Sequence, residues 1–163
     1  MLRGVTVINR LHCPSSIKAY ADLGRSCDPR FNYIVQEAAA AFGTPIALVS
    51  LLDEHRQWFK AKIGLAIDET PLTIAFCTYT ILGDGVFEVA DASRDERFAR
   101  NPLVTGPPYI RFYAGAPLLT SAGPRIGTLC VIDNHTRSAL SQEQKGYLAM
   151  LARKVVALIE YGA

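Results

Sequence analysis

Apolar residues recur at helical spacing between Asp28 and Gly43, where Phe31, Ile34, Val35, Ala38 and Phe42 fall three or four positions apart. Asp28 can cap the orphan N–H groups, Pro29 suits the first helical position, and Gly43 supplies a left-handed stop. The pattern predicts a helix over 29–42. After Thr44-Pro45 comes IALVSLLD (46–53), an apolar run with the composition of a buried strand, then the polar turn 53–56. QWFKAKIG (57–64) alternates Trp58, Lys60 and Lys62 against Phe59, Ala61 and Ile63, the period-2 pattern of a half-exposed strand. The two runs predict a β-hairpin.

Residues 72–82 are apolar and aromatic without alternation, which predicts a short helix within a crossover connection. VFEVAD (86–91) reads as a strand, and Ser93 is placed to cap one helical turn through Phe98. Asn101-Pro102 and Gly106-Pro107-Pro108 punctuate a long loop. Strands over 112–120 and 126–133 are joined by a tight turn at 121–125. Ser141 with Gln144 forms a capping box, opening a last helix through Leu148, Leu151, Val155, Leu158 and Ile159. Ahead of all this, Ile17, Tyr20, Ala21 and Leu23 suit a short amphipathic helix preceded by an irregular arm. The expected organisation is therefore an arm and short helix over 1–27 and one domain over 28–163.

Strands joined by tight turns run antiparallel, and helices at both ends can share one face of the sheet, so the fold class is α+β. The second face is left for a pocket or partner. Its natural covers are the connections 67–82 and 92–111, since long loops in compact domains are usually functional or disordered.

Composition narrows the function classes. The chain has 163 residues, half of them apolar, with 17 basic and 15 acidic groups spread without runs. A net charge of +2 gives no footprint for nucleic acid, and no apolar stretch approaches the length needed for a membrane span. Arg10 and His12 interrupt the N-terminal apolar residues, so no signal peptide is read there. Cys13, Cys27, Cys77 and Cys130 lie far apart with no C-x-x-C pair, which fits reduced thiols in the cytoplasm.

The residues at the joints carry a more specific message. ALVSLLDEHRQWFKAKIGL (47–65), FCTYTIL (76–82), VADASRDERFARNPLVTGPPYIRFYAGAPL (89–118) and GTLCVID (127–133) resemble the GAF domains at the front of bacterial sensor histidine kinases and diguanylate cyclases. The resemblance implies a GAF-like (profilin/PAS-like) antiparallel sheet of about six strands, terminal helices on one face and a loop-covered pocket on the other. It also implies signal transduction through a helical homodimer and a kinase or cyclase output domain, fused or separate. Relatives bind cyclic nucleotides, haem, bilins or small metabolites, so the ligand and any cofactor stay unnamed. The sequence ends at Ala163, directly after the last helix, as a free-standing member or a fragment would.

Candidate ligand-binding residues follow from the cover segments: Phe76, Cys77, Tyr79, Asp91, Phe98, Tyr109, Arg111 and Tyr113. Cys77 reads either as a redox sensor or attachment point, or as a small buried hydrophobe, with nothing near it in sequence to lower its pKa. Thr78 stands where bilin-carrying relatives usually have His. Cys130 reads as core. Free methionine sulfoxide reductases share the fold, but Tyr109, Ile110 and Arg111 stand where the resemblance would put a catalytic thiol, so an enzyme is not expected. Arg111 can clamp an anion with its bidentate fork or pair with Asp91 or Asp95, within a cluster that includes Arg94 and Arg97. Tyr79, Phe98, Tyr109, Phe112 and Tyr113 either line an aromatic cleft or fill it. His12, His55 and His135 lack metal-ligand spacing, and no metal is expected. Met150, Leu151, Val155, Leu158 and Ile159 offer a dimer seam on the last helix. Two functions from different classes remain, a small-molecule or redox sensor and a dimerisation scaffold with a silent pocket, with the reductase as a third.

Overall fold

A computed structural model describes residues 28–162. The short helix expected within 14–27, with Cys13, Cys27 and His12, lies outside the described residues. Helix α1 (Pro29–Phe42) begins where the Asp28 carboxylate accepts from the Arg30 amide, and ends at Gly43 with φ 63°. Strands β1 (Ile46–Leu52) and β2 (Arg56–Ile63) follow as the hairpin. The third strand, β3 (Glu69–Pro71), falls inside a connection that the apolar pattern leaves as loop. Three residues with one inward side chain, Thr70, are too few to show alternation.

A 3-10 turn (Leu72–Ile74) and helix α2 (Cys77–Thr80) complete the crossover to β4 (Phe87–Val89). Asp91, rather than Ser93, caps the next 3-10 turn (Ala92–Arg94), because its carboxylate reaches the Ser93 amide two residues on. Asn101-Pro102 opens a helical turn, α3 (Pro102–Thr105), instead of only breaking the chain. Asn101 caps it and Pro102 takes the first position. Strands β5 (Phe112–Leu119) and β6 (Arg125–Asp133) lead to α4 (Gln142–Tyr161), whose N-terminus carries the Ser141–Gln144 capping box.

The six strands form one antiparallel sheet in the order β3-β2-β1-β6-β5-β4, so its two central strands are the first and the last in sequence. Alternation then sends two sets of side chains to opposite faces. Ala47, Val49, Leu51, Phe112, Ala114, Ala116, Leu129 and Val131 meet Phe31, Val35, Leu148, Leu151 and Val155 from α1 and α4 in one core. Ile46, Leu48, Leu52, Tyr113, Cys130 and Ile132 meet Phe76, Phe98 and Ile110 in a second.

One expectation about the faces is corrected. The β1–β2 register runs Val49 to Ala61 and Ser50 to Phe59, stepping over Lys60. That bulge puts Trp58 and Ala61 on the helix face together, leaving Phe59 on the other. Strict alternation had Phe59 and Ala61 on one side. Phe112 is likewise helix-side core, not part of the cover.

Candidate functional site

The face opposite the terminal helices carries Ile46 and Leu48 from β1, Gln57 and Phe59 from β2, Thr70 from β3, Tyr113 from β5 and Ile132 from β6. Leu65, Ile67, Phe76, Cys77, Leu103, Pro108 and Ile110 close over them. The space left is a cavity of about 20 Å3, room for roughly one water-sized molecule. It is that small because the aromatic side chains beside it pack on one another. Phe76 and Phe98 stack at 4.1 Å, Tyr79 sets its edge on Phe98 at 5.0 Å, and Phe87 lies 6.1 Å from Tyr113. The Arg97 guanidinium, held by Asp95 at 2.6 Å, covers the rings of Tyr79, Phe87 and Phe98 at 5.0 to 5.7 Å.

The cover is tied down by the main chain. The Asn101 side-chain Nδ2 donates to the Ile74 carbonyl at 3.0 Å, joining α3 to the crossover, and the Arg111 backbone N–H donates to the Asp133 carbonyl at 2.9 Å. Pro107-Pro108 is cis, and Tyr109 follows with φ 58°, turning its side chain outward so that half of it is exposed.

Of the eight sequence candidates, Phe76, Cys77 and Tyr113 line the cavity. Tyr79 and Phe98 sit in the aromatic cluster behind it. Asp91 caps a turn and meets Arg94 at 3.7 Å, and Tyr109 faces solvent. Arg111 pairs with neither Asp91 nor Asp95 by a direct ion pair. Its guanidinium instead donates to the Val104 and Ile110 carbonyls at 3.0 and 2.9 Å, pinning the loop by main-chain acceptors. Among the described residues no group of three or more His, Cys, Asp or Glu could hold a metal ion.

A polar hub lies within this apolar face. Cys77 on α2 is 2% exposed. Its sulfur accepts from Thr128 Oγ1 at 3.0 Å and from the Tyr113 hydroxyl at 3.4 Å, and lies 3.7 Å from Ser50 Oγ. Tyr113 shares a further hydrogen bond with Thr80 Oγ1 at 2.8 Å. Because the phenol proton points at sulfur, Thr80 is the donor in that pair, so the bonds run Thr80 to Tyr113 to Cys77. Burial by itself pushes the Cys77 thiol up, but hydrogen bonding with Cys130, Thr128, Tyr113 and Ser50 outweighs it and brings the pKa down to about 7. Burial and the neighbouring Cys77 push Cys130 well above the ordinary thiol range. Of the two buried thiols, Cys77 is the one that receives the Thr128 and Tyr113 hydroxyl donors.

Beside the hub, Gln57 is 4% exposed. Its Nε2 donates to Thr70 Oγ1 at 2.8 Å, while Oε1 has no partner. Turning the amide over would only leave the other atom orphaned. Ser50, Gln57, Thr70, Thr80 and Thr128 carry no motif that marks them as site residues. The available signal was a hydroxyl within an apolar strand, Ser50 in IALVSLL and Thr128 in RIGTLCVID, because a buried polar group requires a partner.

A sheet with terminal helices on one face and a loop-covered, partly polar site on the other defines the class as a compact α+β domain of the pocket-bearing kind. The chain belongs to the GAF domain family, whose model matches residues 27–159. It is 51% identical over 148 residues to a cyclic di-GMP phosphodiesterase of Pseudomonas aeruginosa, covering 88% of this chain. The chain spans about a quarter of that protein's length. Among solved structures, the GAF domain of an Acinetobacter phosphoenolpyruvate-protein phosphotransferase superposes with a TM-score of 0.69 at 18% identity, covering 99% of this chain and 95% of that one. Free methionine-R-sulfoxide reductase of Neisseria meningitidis, solved with its substrate, gives 0.66 at 19%, covering 98% and 92%. These two likenesses show the shared fold. Among the described residues no helix is long and apolar enough to cross a membrane.

Proposed function

We propose that this chain is a regulatory input domain in signal transduction, which sets the rate of a cyclic di-GMP-hydrolysing output domain and performs no catalysis itself. The observation that carries the reading is the alternation of β4. Phe87 stands in the aromatic cluster of the cavity side, and its neighbour Glu88 holds the start of the last helix. Glu88 accepts from the Leu140 amide at 3.0 Å and meets Lys145 at 3.1 Å. A shift of the aromatic rings therefore moves the base of α4 through one peptide unit.

The relative that is half identical is named a cyclic di-GMP phosphodiesterase, which supports that output, and its greater length supports an attached domain. In this reading residues 28–163 are the regulatory domain of a cytoplasmic protein, and the thiols Cys77 and Cys130 are free. Both thiols are surrounded by hydroxyls and by each other, without an acid or base to run a reductase cycle, which favours regulation over catalysis. Of the expected seam, Leu151, Val155 and Ile159 are spent in the core against the sheet, which leaves Met150 and Leu158, half-buried on α4, with the exposed Tyr33 and Tyr161 as the homodimer surface of this reading. A second reading, a scaffold with a silent pocket, draws on the self-packed aromatic cluster.

The test is a chimera in which this chain replaces the matching quarter of the Pseudomonas phosphodiesterase, assayed for cyclic di-GMP hydrolysis under reducing conditions. Glu88→Ala, which unhooks β4 from α4, is expected to change the rate at least about threefold without unfolding the domain. An unchanged rate would leave the scaffold reading standing. Native mass spectrometry of the chain alone reports whether it dimerises and carries a small molecule.

A further inference from the structure

We propose that Cys77 is a peroxide-reactive modification site, with Cys130 as the thiol that resolves it to a disulfide. This rests on the regulatory reading above and names the stimulus that the buried face receives.

Three independent features converge on Cys77. The first is access, because Cys77 lines the cavity, and that cavity admits a molecule of about the size of water. Hydrogen peroxide, with two heavy atoms, is close to that size, whereas a nucleotide or a bilin enters only if the cover opens. The second is donor geometry. Thr128 and Tyr113 direct hydroxyl protons at the sulfur from 3.0 and 3.4 Å, and Thr80 fixes the direction of the Tyr113 proton at 2.8 Å. Such donors stabilise a thiolate where no cation is present, and the thiolate is the reactive form. The third is the second thiol, since Cys130 stands two residues beyond Thr128 on β6 and belongs to the same buried cluster as Cys77, which Thr128 touches. In the cavity wall the orphaned amide oxygen of Gln57 offers a hydrogen-bond acceptor to an entering hydroperoxide.

The Cys77 thiolate attacks one peroxide oxygen, forming an S–O bond as the O–O bond breaks. Sulfur is oxidised by two electrons to a sulfenic acid, and the departing hydroxide takes up a proton as water. The Cys130 thiol then loses its proton and its sulfur attacks Cys77. An S–S bond forms, the S–O bond breaks, and the oxygen leaves as a second water. The net change is two thiols and one peroxide to one disulfide and two waters. Drawing α2 onto β6 in this way pulls on Thr80 and Tyr113, and so on the ring cluster that touches Phe87.

The experiment treats the purified chain with hydrogen peroxide, quenches it at intervals, and reads intact mass and a non-reducing tryptic digest. The expected product is two hydrogens lighter, joins the peptides 63–94 and 126–137, and reverts with dithiothreitol. Cys130→Ala is expected to stop at a Cys77 sulfenic acid, trapped by dimedone on denaturation. Thr128→Val is expected to slow Cys77 oxidation about tenfold, and Cys77 in the folded chain is expected to outpace the same residue in urea. The last comparison needs no variant to fold. Oxidation confined to Cys13 or Cys27, or a folded rate no higher than the unfolded one, overturns the proposal. Because the chimera is assayed with reductant present, its dependence on Glu88 stands or falls separately.

Discussion

The Tyr113 phenol lies back over Gly115, two residues along the same face of β5, so closely that a Cβ at Gly115 would stand 2.3 Å from the Tyr113 hydroxyl oxygen. The missing side chain is what lets the phenol reach Thr80 and Cys77 together. Tyr113 is wholly buried and its ring is rigid, so it has no low-cost way to yield.

Gly115→Ala should therefore cost about 1–3 kcal/mol, the range for overpacking a filled core. Urea unfolding checks the loss. The substitution should also raise the Cys77 pKa by removing the Tyr113 donor, which a thiol-alkylation rate measured against pH would show. Unaltered stability and thiol titration together would contradict this account of Gly115.

A different close approach governs Gly127, where a Cβ would meet the Ser50 carbonyl oxygen at 1.9 Å. Here the obstacle is backbone at the β1–β6 pairing, and neither strand can retreat without breaking the centre of the sheet. Gly127→Ala is expected to cost at least about 3 kcal/mol. Gly146, by contrast, sits in α4 with nothing within 4 Å. Gly146→Ala should raise stability by about 0.5–1 kcal/mol through helix propensity. Thermal unfolding of the two variants side by side gives opposite signs.

Asp133 and Arg137 brace the far end of the sheet against α1. Arg137 donates to Asp133 at 2.8 Å, to the Phe42 carbonyl at 2.6 Å and to the Gly43 carbonyl at 2.5 Å, closing the helix terminus. Burial pushes the Asp133 carboxyl up, but Arg137 and His135 outweigh it and hold it below the usual carboxylate range. A lowered native pKa gives stability that is present above the unfolded value of 3.8 and is lost as pH falls through the native one. Arg137→Ala should cost about 1–2 kcal/mol at neutral pH and flatten the acid limb of the stability curve. If the variant's acid limb matches that of the parent chain, the brace does not work this way.

Gln57 presents the reverse case, a buried group that the fold leaves half satisfied. Exchanging both partners, Gln57→Met with Thr70→Val, removes one hydrogen bond together with an orphaned oxygen. The double variant should match or exceed the parent in stability by up to about 1 kcal/mol, whereas Thr70→Val alone should cost about 1–2 kcal/mol. A double variant clearly weaker than the single one would show that Gln57 Oε1 finds a partner in solution.

Elements with repeated signals were legible along the chain. Helix α1 has a capping aspartate, a first-position proline, five spaced apolar residues and a terminal glycine, all pointing the same way. Helix α4 has its capping box. Where a signal was single, a competing contact could win. Ser93 lost its capping role to Asp91, and the bulge at Lys60 moved Ala61 across the sheet.

The candidate site was legible only in part, for a geometric reason. Phe76, Cys77 and Tyr113 sit in the cover segments or beside them, and they line the cavity. Chemistry offers Arg111 either an anionic ligand or a carboxylate partner, yet its guanidinium donates to the carbonyls of Val104 and Ile110, which no sequence rule places there.

What the sequence determined by itself was local: capping residues set the helix ends, the period of apolar residues set strand or helix, and the joint motifs set the family. Caps and periods depend on residues within about four positions of one another and the motifs on contiguous runs, so the linear order contains them. What only the tertiary structure decided was the neighbourhood of Cys77. Near it in sequence nothing lowers a thiol pKa, but Ser50, Tyr113, Thr128 and Cys130 arrive from three strands once the sheet is ordered β1-β6-β5. Such an environment is created by long-range pairing, and before the strands meet it has no existence along the chain.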